Sequence, residues 1–93
     1  MIKNTKMKRL YGLSLDEYRI MIYEQNNKCA ICNKPETMID YRSKEIKDLY
    51  VDHNHETGKV RELLCSSCNQ GIGLLQESLE ILTNALNYLK KHA

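Results

Sequence analysis

All four cysteines of this 93-residue chain fall into two pairs of the form CxxC, Cys29-Ala30-Ile31-Cys32 and Cys65-Ser66-Ser67-Cys68, with 32 residues between them. Each pair can chelate through a tight turn whose backbone N–H groups donate to the thiolates. One tetrahedral zinc with Cys29, Cys32, Cys65 and Cys68 as ligands therefore accounts for every cysteine. Four thiolates close the coordination shell, so such a zinc is structural and not catalytic. A chain this short buries a thin core, and a metal staple is physically apt. Rival readings are a redox pair, a disulfide framework and an iron–sulfur cluster. The first lacks a βαβ setting and the second lacks any sign of an oxidising compartment; the third also uses four thiolates.

Composition narrows the class. No apolar run approaches the ~20 residues that cross a bilayer, and the basic start lacks the apolar stretch of a signal peptide. The chain reads as a cytoplasmic protein with no membrane partner. Its formal charge is +2, and four thiolates with one divalent ion bring that to about zero. Attraction to nucleic acid must then come from local patches. Lys3, Lys6, Lys8 and Arg9 all precede the first acid, Asp16. Residues 1–9 are thus either a solvated tail or a phosphate-contacting arm in front of one domain, 10–93.

Ser14 and Glu17 form a capping box and Leu13 with Tyr18 a hydrophobic staple, so a helix is expected over 15–25. Leu15, Tyr18 and Ile22 share one face, and Asn26-Asn27 can end the helix in a left-handed turn. Residues 33–48 are polar and read as a loop carrying a short strand around 38–41. Leu49-Tyr50-Val51 and Val60-Arg61-Glu62-Leu63-Leu64 read as strands joined by Glu56-Thr57-Gly58-Lys59, where Gly58 is free to take positive φ. A helix should begin at the second CxxC pair and carry Asn69 in its first turn, weakened by Gly71 and Gly73. Ser78 caps a last helix over 78–91. Its stripe of Leu79, Leu82, Leu86 and Leu89 is expected to pack on the first helix, with a homodimer seam as the alternative.

Between the two cysteine pairs lies Asp52-His53-Asn54-His55, and Asn69 follows Cys68 directly. These residues, with Gly58-Lys59-Val60-Arg61 and Leu64-Cys65-Ser66-Ser67-Cys68-Asn69, resemble the HNH, or ββα-metal, nucleases. More narrowly they resemble the phage recombination endonuclease VII family, whose opening Leu10-Tyr11-Gly12-Leu13, Glu17-Tyr18 and the first CxxC pair also match. The resemblance spans roughly residues 10–91. It implies an α+β fold, a small zinc-stapled ββα-metal unit with flanking N- and C-terminal helices. It also implies a DNA endonuclease, phage-encoded or bacterial, that leaves 5′-phosphate and 3′-hydroxyl ends. Carried over by position, Asp52 and Asn69 bind a catalytic magnesium or manganese and His53 is the general base. His55 is a second histidine near the phosphate or the metal, and the four cysteines hold zinc.

Elementary chemistry agrees. Histidine can take a proton from water near neutral pH, and a hard cation on carboxylate and amide oxygens can neutralise a phosphorane-like transition state. One structural demand follows. Asp52 and His53 are neighbours, and on a regular strand they would point to opposite faces, so both can face a substrate only if the chain leaves the pleat there, as it would where the strand gives way to loop. Lys59 and Arg61 flank the turn, as phosphate contacts or as solvated charges. Glu56 and Glu62 are expected to face away from DNA, and His92 to be a solvent-exposed residue. Taken singly, Asp52 reads equally as a turn residue, His53 and His55 as surface histidines, and Asn69 as a cap. A non-catalytic four-cysteine zinc module that binds DNA is the alternative, and it has no use for Asp52, His53 and Asn69 in this order. The family's phage resolvase carries further C-terminal sequence for dimerisation and junction binding. A nicking enzyme is therefore expected here, and branched-DNA cleavage only if the chain dimerises.

Overall fold

The structure, a computed structural model, describes residues 13–93. The basic arm, including Lys8 and Arg9, lies outside the described residues. Helix α1 spans Leu15–Glu24. Its start is the expected capping box: the Ser14 hydroxyl accepts from the Glu17 N–H at 3.1 Å, and the Glu17 carboxylate accepts from the Ser14 N–H at 3.0 Å. Leu13 and Tyr18 join one buried cluster, as the staple requires. The Tyr18 hydroxyl donates to the Leu49 carbonyl at 2.7 Å, a buried bond that ties α1 to the sheet. The helix ends in a Schellman turn, with Asn27 N–H on Ile22 O and Asn26 N–H on Tyr23 O. Both asparagines take positive φ, 54° and 56°.

Strands β1, Tyr50–His53, and β2, Val60–Leu64, pair antiparallel as a two-stranded sheet. The connection is set by Asn54, whose side chain accepts from the N–H of Glu56 at 2.8 Å and of Thr57 at 3.0 Å. Gly58 follows at φ +74°, a left-handed position where glycine is favoured. The register runs Tyr50 to Leu64 and Val51 to Leu63, then slips so that His53 faces Val60. Asp52 therefore stands opposite two residues of β2, Arg61 and Glu62. The departure from regular pairing falls at the place where the Asp-His step demanded one. In the 33–48 loop the expected strand shrinks to a single bridge between Ile39 and Ile46.

Helix α2 spans Ser66–Leu74 and α3 spans Leu79–Lys91. Helix α2 runs through Gly71 and Gly73 and packs against β1. It too ends in a Schellman turn, with Glu77 N–H on Ile72 O and Gln76 N–H on Gly73 O. Here the left-handed residues are Gln76 and Glu77, at φ 62° and 49°. Asparagine tolerates this region, whereas for glutamine and glutamate it costs about 1 kcal/mol each.

The core consists of Leu13, Tyr18, Leu49, Val51, Leu63 and Leu64 with Cys29 and Cys65. It lies between α1, the hairpin and the cysteines. One expectation is corrected here. The leucine stripe of α3 does not pack on α1: α3 has no buried residue, and Leu79 and Leu89 are 83% and 67% exposed. The reason is that the apolar face of α1 is already taken by the sheet, through Tyr18 and its neighbours Leu15, Met21 and Ile22.

Candidate active site and metal centre

The two CxxC turns meet at the end of β2. Ala30 N–H donates to Leu63 O at 3.0 Å, docking the first turn on the strand. The Gln25 side chain does the same from the exit of α1, donating to Leu63 O and accepting from Leu63 N–H at 3.0 and 2.9 Å. The second turn is the start of α2, and Cys65 is its N-cap, its sulfur accepting from Cys68 N–H at 3.4 Å. Cys29 sulfur likewise accepts from Ile31 N–H at 3.3 Å. Glu36, from the loop, accepts from both the N–H and the hydroxyl of Ser66, at 2.6 and 3.2 Å. It thereby satisfies an open donor of the first turn of α2.

The four sulfurs lie within 4.8 Å of one another. Thiolates at the vertices of a zinc tetrahedron sit about 3.8 Å apart, and Cys32 and Cys65 are 3.9 Å apart. The cluster is therefore shaped for one tetrahedral ion. Its electrostatics ask for one as well. Burial opposes ionisation of Cys29, but N–H groups of Cys65, Cys32 and Ile31 outweigh it and hold that thiol at about 6. Burial and the neighbouring thiols push Cys68 up to about 12, and Cys65 is raised too, by burial first. Cys29 ionises readily, and a cation would favour the thiolates of Cys65 and Cys68.

At the other end of the hairpin the polar side chains form one continuous chain. Arg61 donates to both oxygens of Asp52, from Nε at 2.5 Å and from Nη2 at 3.0 Å. The same Nη2 donates to Glu77 Oε1 at 2.5 Å. Glu77 Oε2 lies 2.8 Å from His55 Nε2. The His55 ring stacks on His53, with centroids 5.5 Å apart and planes 29° apart. Asp52 is mostly enclosed, with 11% of its side chain exposed, whereas His55 is 71% exposed. The hydrogen bonds that Arg61 donates to Asp52 and Glu77 raise its pKa above its already high ordinary value.

The structure thus joins Asp52, His53 and His55 in one surface network. Asn69 sits in the first turns of α2, half-buried, its N–H on Cys65 O at 2.9 Å. Among the described residues its side-chain amide makes no hydrogen bond. Arg61 is turned toward Asp52 and Glu77, while Lys59 stays exposed in the turn. Glu77 was not anticipated from the sequence. It follows a helix end that lacks the usual glycine, so no residue type marks the turn that aims it.

Residues 4–91 match the family of recombination endonuclease VII. The gene 59 protein of Mycobacterium phage D29 is 36% identical over 88 residues, covering 94% of this chain and 49% of that protein. The gene 59 protein of Mycobacterium phage L5 is 38% identical over 87 residues, 91% of this chain and 48% of the relative. The crystal structure of the ββα-Me type II restriction endonuclease Hpy99I is similar at a TM-score of 0.57 and 32% identity, covering 92% of this chain and 47% of that one. The chain spans about half the length of the curated relatives it matches. A hairpin and helix held by a four-cysteine cluster, matched along nearly the whole chain, place it in the recombination endonuclease VII family.

Proposed function

We propose that the chain is a divalent-metal-dependent DNA endonuclease that hydrolyses phosphodiester bonds to 5′-phosphate and 3′-hydroxyl ends. The observation that carries this reading is the continuous network from Asp52 through Arg61, Glu77 and His55 to His53, set on a hairpin whose following helix is anchored by the cysteines. Zinc is the ion that best suits the four thiolates. By their positions in the family, Asp52 and Asn69 would hold magnesium or manganese through hard oxygen donors, with Asp52 giving up at least one of its two hydrogen bonds to Arg61. That ion would supply neutralisation of charge growing on the phosphate and on the leaving 3′ oxygen.

The chain's own side chains do the rest. His53 is exposed at the end of β1, where one of its ring nitrogens can take the proton of the attacking water. His55 stacks on that ring and limits how far it can swing. Arg61 keeps its positive charge beside Asp52, where it would offer a donor to a phosphate oxygen brought to that carboxylate by the divalent ion. Duplex or branched DNA is the substrate class, and branched DNA with two coordinated cuts would require a homodimer.

The test is cleavage of supercoiled plasmid, linear duplex and a four-way junction with added magnesium or manganese. Zinc-loaded wild type is run beside zinc-loaded His53→Ala. Metal-dependent cutting that disappears in the variant, at equal zinc content, supports the nuclease and its base. DNA binding without any cutting would replace this reading with a non-catalytic zinc module.

A further inference from the structure

We propose that Glu77 is a positioning residue of the active site, whose carboxylate holds Arg61 and His55 in register so that His53 and Asp52 work on one phosphate. The proposal rests on the nuclease reading above and adds a residue to it. Three observations carry it. Glu77 is where the two halves of the site meet, one oxygen taking Arg61 Nη2 and the other lying 2.8 Å from His55 Nε2. It comes from outside the hairpin, from the link between α2 and α3, so it ties the helix of Asn69 to the strands of Asp52 and Arg61. Its backbone, with that of Gln76, takes the left-handed conformation that side chains rarely adopt. A glycine would satisfy the same helix end at lower cost. Uncommon backbone of this kind persists where surrounding contacts over-determine it, and it gathers at functional sites.

The geometry explains why Glu77 bridges two partners, one on each oxygen. A single acceptor for Arg61 could be any surface carboxylate. A carboxylate that splits its two oxygens between an arginine bound to Asp52 and a histidine stacked on His53 fixes the spacing between them. Charge alone would not require that arrangement. Asp52 already offers Arg61 a paired, charge-assisted partner at both oxygens.

The test uses the full, zinc-loaded chain with plasmid DNA and magnesium. Wild type, Glu77→Ala and the near-isosteric Glu77→Gln are compared in kcat, KM and melting temperature. Side-chain nitrogen NMR of the histidine rings and the Arg61 Nε is recorded on each. The expected result is a kcat about 10- to 100-fold lower for Glu77→Ala, the usual loss for a supporting residue. KM should change little, and the signals of His55 and Arg61 should shift. Glu77→Gln, which keeps one oxygen, should fall between the two. Melting that drops with kcat unchanged would make Glu77 a structural clasp and overturn the proposal. So would unmoved His55 and Arg61 signals. If wild type cuts nothing, the nuclease reading fails and this one with it. If wild type cuts and Glu77→Ala cuts equally well, only this one fails.

Discussion

The two ends of the hairpin are built on opposite plans. At the Leu64 end, Cys29 and Cys65 are 1% and 6% exposed and are held by backbone N–H groups and by the core, with Gln25 pinning the adjoining Leu63. At the His53 end His53 and His55 stand in solvent, Asp52 is mostly enclosed, and these side chains are held mainly by one another and by Arg61 and Glu77. The first plan resists change because every ligand is also a core residue, a helix cap or a turn. The second leaves groups adjustable, as the proposed nuclease site would need. A small chain can keep both only by separating them. Damage at one end should therefore appear in stability, and damage at the other in chemistry.

The largest expected effect comes from stripping the metal. Structural zinc contributes an apparent ~10–16 kcal/mol to such small domains, as much as a typical domain's entire ~5–15 kcal/mol. Chelation, or Cys65→Ala, should abolish the cooperative melting transition followed by circular dichroism. Retention of that transition would break the contrast between the two ends. Next, His53→Ala should reduce cleavage by about 10²–10⁴-fold, the usual share of a general base, while melting temperature and metal content stay at wild-type values. Instability of this variant would mean that the His53 end also supports the fold.

Gln25→Ala sharpens the comparison from the stable side. It strips the Gln25 partner from Leu63 N–H and C=O and should lower stability in urea by about 1–3 kcal/mol, with kcat of the folded fraction preserved. The smallest effect concerns acid. Burial opposes ionisation of Glu36, but the N–H groups of Met38, Ser66 and Thr37 with the Ser66 hydroxyl outweigh it, and its folded pKa lies below the unfolded 4.5. Its stabilising contribution is whole above 4.5 and is lost as pH falls through the lower folded value. The gap in melting temperature between wild type and Glu36→Gln should narrow over that interval. A gap independent of pH would show that Glu36 acts through packing alone.

Local signals in the sequence proved dependable where one residue type serves one geometry. Ser14 with Glu17, Gly58 in the turn, and Asn26-Asn27 at the end of α1 each sit where their chemistry places them. The Asp52-His53 step called for a departure from the pleat at the end of the strand, and the pairing slips at Asp52, inside β1. Two things were hidden. Leucine periodicity in α3 defines a face but not its partner, and α1 had spent its own face on the sheet. Glu77 and Glu36 act over long separations, reaching Arg61 and Ser66 from segments with no marker residue. Helix α1 ends as its asparagines advertise; α2 makes the same turn with glutamine and glutamate, and only the backbone angles reveal it.

The grip of Gln25 on Leu63 has a consequence for how this chain meets others. A two-stranded sheet has two outer edges, and unpaired N–H and C=O groups along an edge invite a further strand from another molecule. At Leu63 one such pair is already taken up by a side-chain amide that imitates a neighbouring backbone, with Ala30 beside it. The edge of β2 is thereby closed to strand addition at its most buried residue. Among the described residues, strand addition by a second copy at this point of β2 would first have to displace one glutamine side chain.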